Sequence, residues 1–498
     1  MLRDKHFLQQ KNEAEQTLSE KVVRGGFWVF ALRITQQVFG LVRLIILARV
    51  LSPNDFGLMG IALLTMATLE TFSQTGFQQA LIQKKKDIKS HLDAAWTVLI
   101  LRGFILFVIL YLIAPYAAIF FNVTEAKPII QVVGLSILLR AFTNIGVIYF
   151  QKELEFNKEF LYRFMGTLAD FIVAISAVLI LRNVWALVFG SLAGNAVGCF
   201  VSYLIHPYRP HLDFNLRKAK ELFRFGKWIL GSSILVFLLG QGDDIFVGKL
   251  LGAAALGFYQ MAFRISNIPA TEYSHLIARV TFPAYAKLQE NIPRLREAYL
   301  KVLQLSAFLA IPIAGGIFIL APEFTKIFLG KKWIPMIPSM QVLALYGMLN
   351  SIVIPGPLFM AMGKPELRTK LQFFCLIIMA IFIYPFTMWW GIMGTALAVT
   401  VSVAIAGSIA IIIALGKIKS DYKRPMKALL LPLVNTLIMV LVIFTLKTHI
   451  FNIVGFGWLL LLVTIGVLAY VSIAHFFDFF FDYGSKNLIR DQFIAFRG

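Results

Sequence analysis

Apolar residues along this chain run in long unbroken blocks rather than alternating with polar ones. LIILARVL, FILFVILYLIAPYAAIFF and GWLLLLVTIGVLAYVSIAHFF are examples, and short charged segments punctuate them. Blocks of about twenty apolar residues cross a hydrocarbon layer ~30 Å thick as helices. Fourteen spans are predicted, at roughly 25–48, 56–80, 95–121, 128–149, 164–182, 184–205, 228–250, 256–280, 302–329, 336–360, 371–390, 391–415, 428–447 and 455–476. Only a few residues separate some neighbours, at Arg182-Asn183 and around Trp390-Gly391, which predicts tight turns between antiparallel helices. The remaining connections are short, and no large extramembrane domain is expected.

Composition agrees. Of 498 residues, 59% are hydrophobic and 15% charged, and the mean hydropathy is +0.77. Soluble domains run near ~45–50% apolar and ~25% charged. The pattern is that of an all-α polytopic membrane protein, and it excludes soluble enzymes, secreted disulfide scaffolds and nucleic-acid-binding domains. Cys199 and Cys375 both lie inside apolar blocks, so neither a disulfide framework nor a cysteine metal site is indicated. Residues 1–20 are polar and of mixed charge, unlike a cleaved signal peptide.

The net charge of +21 is distributed unevenly. The amino-terminal arm and the connections after even-numbered spans carry 33 Lys/Arg, whereas those after odd-numbered spans carry 8. The positive-inside rule then places both termini and the basic connections in the cytoplasm. A shift of 200 residues lays Gly26-Phe27-Trp28 on Gly226-Lys227-Trp228, Gly40 on Gly240, Arg49-Val50-Leu51 on Lys249-Leu250-Leu251, and Gly57 on Gly257. Two parallel six-helix lobes follow, an arrangement of transporters that rock about a central site. The expected organisation is a cytoplasmic arm (1–24), an amino-terminal lobe (25–205), a linker (206–227) whose Leu and Phe spacing over 206–225 predicts an amphipathic helix on the cytoplasmic surface, a carboxy-terminal lobe (228–415), a cytoplasmic loop (416–427), two further spans (428–476) and a cytoplasmic tail (477–498).

Ionisable groups within spans are costly and normally face a bundle interior or a wet cavity. In the first span, Arg33, Gln36, Gln37, Gly40 and Arg43 share one helical stripe. Glu70, Thr71, Gln74 and Gln78 do so in the second, and Arg163, Thr167 and Asp170 in the fifth. Arg102 and Arg140 add two cations from the third and fourth. Guanidinium groups match phosphate oxygens, so a cationic cavity for an anionic, phosphate-bearing substrate is the inference. The alternatives are that Arg102 and Arg140 are snorkelling anchors and that Glu70 pairs with one of the arginines.

The second lobe differs. Asp243 and Asp244 are adjacent in the seventh span, and the 200-residue shift sets Asp243 against Arg43. Arg264, Thr271, His275 and Arg279 share a face of the eighth. Asp170, Asp243 and Asp244 are therefore candidates for coupling to H+ or Na+. The alternative is a buried Asp–Arg pair tying the seventh and eighth spans together. Pro269, Pro312, Pro355, Pro357 and Pro385 interrupt spans, and Trp333, Trp389 and Trp390 are expected as interface anchors. No Walker motif, HExxH or Cys/His cluster is present, so no cofactor and no metal site are expected.

The segment ARVLSPNDFGLMGIALL…FSQTGFQQALIQKK resembles the polysaccharide transporter branch of the MOP superfamily of flippases. FQKELEFNKEF (150–160), RVTFPAYAKLQ (279–289) and LGKKWIPMIPSMQVL (329–343) are similar to its colanic acid exporter (WzxC-like) group. The resemblance runs the length of the chain in order. It implies fourteen helices, twelve of them in two lobes forming a V around a central cavity. It also implies a non-enzymatic flippase of the bacterial inner membrane that translocates undecaprenyl-pyrophosphate-linked oligosaccharide for surface polysaccharide, including exopolysaccharide and lipopolysaccharide, by alternating access. Polysaccharide polymerase and chain-length proteins are the implied partners. A cation-coupled multidrug exporter of the same superfamily is the alternative, but its cavity should be acidic and aromatic. A polymerase or ligase should carry a sizeable outward loop.

Overall fold

The computed structural model describes the backbone of residues 2–74, 81, 89–352, 355–449 and 455–481. It describes their side chains except at 2–24, 89–90, 216–230, 232, 268–276, 278–280 and 479–481. Among these residues the structure is helical, with no strand. Among the described residues ten helices are long and apolar enough to cross a membrane, and an eleventh span follows if one bent helix pair is counted. Their outer faces carry large apolar side chains, such as Phe27, Ile34, Val38, Ile180, Leu204, Leu437 and Leu441, all exposed. Such faces suit lipid, in which only backbone groups already paired within a helix are tolerated. The protein is a multi-pass membrane protein.

The chain forms two compact units. One comprises Met1–Phe237 with Gly252–Ala254, the other Leu238–Leu251 with Ala255–Gly498. The helices of the first are α1 (Leu2–Val50), α2 (Pro53–Phe72), α3 (Lys89–Phe120), α4 (Ala126–Val133), α5 (Leu135–Ala141), α6 (Ile148–Lys152), α7 (Phe156–Leu181) and α8 (Trp185–Ile205). At the start of α2, Ser52 and Asp55 form a reciprocal capping box. The other oxygen of Asp55 accepts the Val184 backbone N–H at 3.0 Å, fastening α2 to the α7–α8 turn. That turn reverses the chain at Arg182, which adopts a left-handed conformation (φ 51°).

Small residues let α7 and α8 approach closely. A Cβ added at Gly166 would lie 3.0 Å from the Gly194 carbonyl, and Gly190 faces Ala174 and Asp170. Aromatic side chains join α1 to α7, with Trp28 at 5.2 Å from Phe160 and Phe39 at 5.1 Å from Phe171. The expected fourth span is not one straight helix. It bends by 68° between Ala126–Ala141 and Ile145–Lys152, because the buried Asn144 side chain accepts the Gly146 N–H and starts a new turn.

A long helix, α9 (Leu216–Leu288), leads from the first unit into the second and is broken at Gly252 (φ 83°). The second unit continues through α10 (Ile292–Phe324), α11 (Ile337–Ile352), α12 (Gly356–Ala361), α13 (Pro365–Lys417), α14 (Lys423–His449) and α15 (Phe456–Phe481). Gly391 (φ 58°) breaks α13 at the expected turn. Phe308, Leu320, Met439, Ile443, Leu459, Leu462, Tyr470 and Ala474 form one apolar core joining α10, α14 and α15. Tyr470 Oη donates to the Phe308 carbonyl at 2.8 Å, and Lys447 pairs with Glu323 at 2.8 Å. Trp389 and Trp390 are exposed, as interface anchors are, but Trp333 is fully buried. Its ring meets the edge of Phe258, 5.8 Å away, so it is a core residue and not an anchor.

Candidate functional site

In the first unit the sequence-derived candidates assemble around two ion pairs. The α1 stripe brings Arg43 to Asp170 of α7, with Nη2 donating to Oδ1 at 2.9 Å. The side chains are 18% and 26% exposed. The pair is seated against α8, where Gly190 and Gly194 leave room for the aspartate: a Cβ at Gly190 would come within 2.8 Å of Asp170 Oδ1. The Nε of Arg43 is buried without a hydrogen-bond partner. A buried donor of this kind carries a desolvation cost until an acceptor reaches it.

The second pair joins Arg140 of α5 to Glu70 of α2 at 2.9 Å. Arg140 is 46% exposed, so this pair contributes ~0–1 kcal/mol. Arg102 of α3 lies beside it in a different role. Its Nε donates to the Ser73 carbonyl and its Nη2 to Ser73 Oγ, each at 2.8 Å, and Nη2 also reaches the Glu70 carbonyl at 3.1 Å. Arg102 thus satisfies the carbonyls at the carboxyl end of α2, neither snorkelling nor bare. Gln74, one turn on, accepts from the Ser233 hydroxyl at 2.6 Å. Arg33 and Gln37 are half-buried on α1.

Arg33, Arg43, Arg102 and Arg140 stand against Glu70 and Asp170 on these helices. The cations are therefore not bare. An anion approaching Arg43 or Arg140 meets a guanidinium already shared with a carboxylate, and binding becomes an exchange of partners.

In the second unit the adjacent acids take separate partners. Tyr259 Oη donates to Asp243 Oδ2 at 2.6 Å, and Gln260 Nε2 donates to Asp244 Oδ2 at 3.0 Å. Asp243 is 2% exposed, and its second oxygen, Oδ1, makes no side-chain bond. The sequence reading missed Tyr259 and Gln260, although both follow Asp243 and Asp244 by sixteen residues and are polar within LGFYQMAF. Arg264 lies one turn beyond Gln260, with its side chain exposed. The side chains of His275 and Arg279 fall outside those the structure describes. No group of three or more His, Cys, Asp or Glu that could hold a metal occurs among the described residues.

Known proteins are similar to this chain in sequence and in fold. Residues 46–338 match the family described as polysaccharide biosynthesis protein. The chain is 28% identical to the lipopolysaccharide biosynthesis protein WzxC of Escherichia coli K12, over 72% of this chain and 73% of that one. It is 24% identical to the succinoglycan biosynthesis transport protein ExoT of Rhizobium meliloti, over 60% and 61%. Among solved structures, the lipid II flippase MurJ in an inward closed conformation superposes with a TM-score of 0.72 at 16% identity, covering 91% of this chain and 98% of that one. An inward-facing multidrug resistance MATE transporter of the MOP superfamily gives 0.58 at 18% identity, covering 77% and 94%. The helical, multi-pass fold is thus that of MurJ and the MATE transporters, and the chain itself belongs to the polysaccharide biosynthesis protein family.

Proposed function

We propose that this protein is a flippase for lipid-linked oligosaccharide. It is a transporter and not an enzyme, and it moves undecaprenyl-pyrophosphate-linked repeat units across the plasma membrane by alternating access. Family membership and relatives named for polysaccharide biosynthesis, transport and glycan flipping support the substrate class. The observation that carries the reading is Arg43: a half-buried guanidinium with Nη2 on Asp170 and the buried Nε unbonded. A pyrophosphate oxygen reaching Nε completes its donors, and the Asp170 carboxylate then competes with the second phosphate oxygen. Arg33 and Arg140 widen the positive field, while Gln37 and Gln74 offer amides to sugar hydroxyls.

On this reading Leu216–Leu288 and Pro365–Lys417 each hold two spans, divided at Gly252 and Gly391. That gives fourteen spans in two six-helix lobes plus two, with both termini cytoplasmic. Return of the empty carrier is driven by H+ or Na+ at Asp243 and Asp244, and polymerase and chain-length proteins receive the product.

The test is charge reversal, Arg33→Glu with Arg43→Glu. Surface polysaccharide should vanish and lipid-linked repeat units accumulate, by far more than any fall in the amount of protein in the membrane accounts for. Unchanged polymer from that variant rejects the site. Sensitivity to cationic drugs on deletion, without accumulated lipid-linked intermediates, would instead mark a multidrug exporter.

A further inference from the structure

The ten residues after α8, 206–215, have no regular secondary structure where the sequence predicts an amphipathic helix, yet most of their backbone N–H groups are held. Tyr208 Oη donates to Asp93 Oδ1 at 2.7 Å, and the His211 N–H donates to the same oxygen at 2.9 Å. The Asp213 N–H donates to Thr97 Oγ1 at 2.8 Å, one turn along α3. The Asn144 side chain donates to the Tyr208 carbonyl at 2.7 Å, tying the strap to the bend after α5. At its start the His206 ring stacks on Tyr149, 5.6 Å away and almost parallel. Tyr208 packs against the core formed by Leu81, Leu92, Ala95, Ile145 and Ile148. These contacts lie within the first unit.

What the clasp leaves outside is apolar. Leu212 and Phe214 flank the held Asp213 and are 61% and 74% exposed. Asp93 and Thr97 sit in the first two turns of an apolar span, so the strap lies level with the end of that helix, where spans meet water. Arg209 of the strap and Arg217, Lys218 and Lys220 after it are basic. Large apolar side chains at this depth, with basic neighbours, fit the boundary between acyl chains and anionic headgroups.

We propose that residues 206–215 are a membrane-surface anchor: a strap clasped to α3 through Asp93 and Thr97 that inserts Leu212 and Phe214 into the headgroup layer of an anionic bilayer. The connection between the two halves of the chain is thereby pinned at a fixed depth rather than left as a free tether. This rests on no assignment of substrate.

The test is spin labelling of the full-length protein in liposomes of phosphatidylcholine with phosphatidylglycerol, with Cys199→Ser and Cys375→Ser as background. Labels at Leu212→Cys and Phe214→Cys should be open to oxygen and shielded from a water-soluble nickel chelate. A label at Arg209→Cys should show the reverse. Adding Asp93→Ala with Tyr208→Phe should narrow the spectra at 212 and 214 to those of mobile labels and raise nickel access severalfold. Three results overturn the proposal: nickel access at 212 and 214 equal to that at 209, shielding from both reagents (a protein partner and not lipid), or spectra unchanged by loss of Asp93 and Tyr208.

Discussion

Arg102 donates from Nε to the carbonyl oxygen of Ser73 at 2.8 Å and so closes the carboxyl end of α2. Replacing Arg102 with methionine leaves the Glu70 and Ser73 carbonyls without that partner. The expected loss is about 1–2 kcal/mol of stability, read as a lower midpoint of thermal unfolding in detergent. Lysine should restore little, because one ammonium cannot reach both carbonyls and the Ser73 hydroxyl in the fixed geometry of the guanidinium fork. Surface polysaccharide should fall only in proportion to protein level. A loss of polymer at full protein level would give Arg102 a direct part in transport.

Asp55 does two jobs with its two oxygens, one for the α2 capping box and one for the Val184 N–H. Asp55→Ala removes both and should cost about 1–2 kcal/mol, a cap being worth ~1. Asn at this position keeps an acceptor for only one of the two sites and should fall between. Limited proteolysis of the α7–α8 turn provides the second readout, with faster cleavage expected in Asp55→Ala.

The Arg43–Asp170 pair is tested by a double-mutant cycle. Arg43→Met and Asp170→Leu should each be destabilising alone, because each strands a half-buried charge. The double variant should recover part of the loss, giving a coupling of about 1–3 kcal/mol. Gly190→Ala probes the same pair from α8. Its methyl would press on Ala174 Cβ and Asp170 Oδ1, at 2.6 and 2.8 Å. It should therefore destabilise by about 1–3 kcal/mol as an overpacked site. Additive stability effects in the cycle would mean that the two charges do not act on each other.

Much of this was legible in the chain. Hydropathy reveals the spans because lipid demands helices with uninterrupted apolar faces, and the 3.6-residue period placed Arg43 and Asp170 each on a polar stripe of its own helix. It did not pair them, since which stripes meet depends on how α1 seats on α7, through Trp28 on Phe160 and Phe39 on Phe171. Trp333 was misread because proximity to a span end does not distinguish a ring facing lipid from one turned into the core. Asn144 was silent for a related reason: a single Asn looks like any loop residue until its side chain is seen capping Gly146 and holding the Tyr208 carbonyl. Arg102 shows the same limit in reverse. Its charge marked it for a ligand, whereas the backbone of α2 was its partner.

His206 gives the strap a pH dependence of definite sign. Its Nδ1 accepts the Tyr208 N–H at 3.1 Å, so the ring must be unprotonated at that nitrogen. Burial first, then Lys158, lowers its pKa below the usual 6.5; Glu155 and Glu153 oppose this, and Arg209 adds to it. The folded protein therefore favours neutral His206, and the contact is fully present above pH 6.5. Its contribution is lost as the pH falls from there through the lower folded value, where protonation removes the acceptor. Amide exchange at Tyr208, corrected for intrinsic rate, should show protection falling across that window in the wild type. His206→Asn, whose carbonyl oxygen can still accept, should keep the protection and lose the pH dependence, whereas His206→Phe should lack the protection at every pH. A protection factor that is flat from pH 7.5 to pH 5 in the wild type would mean that the ring does not hold this end of the strap.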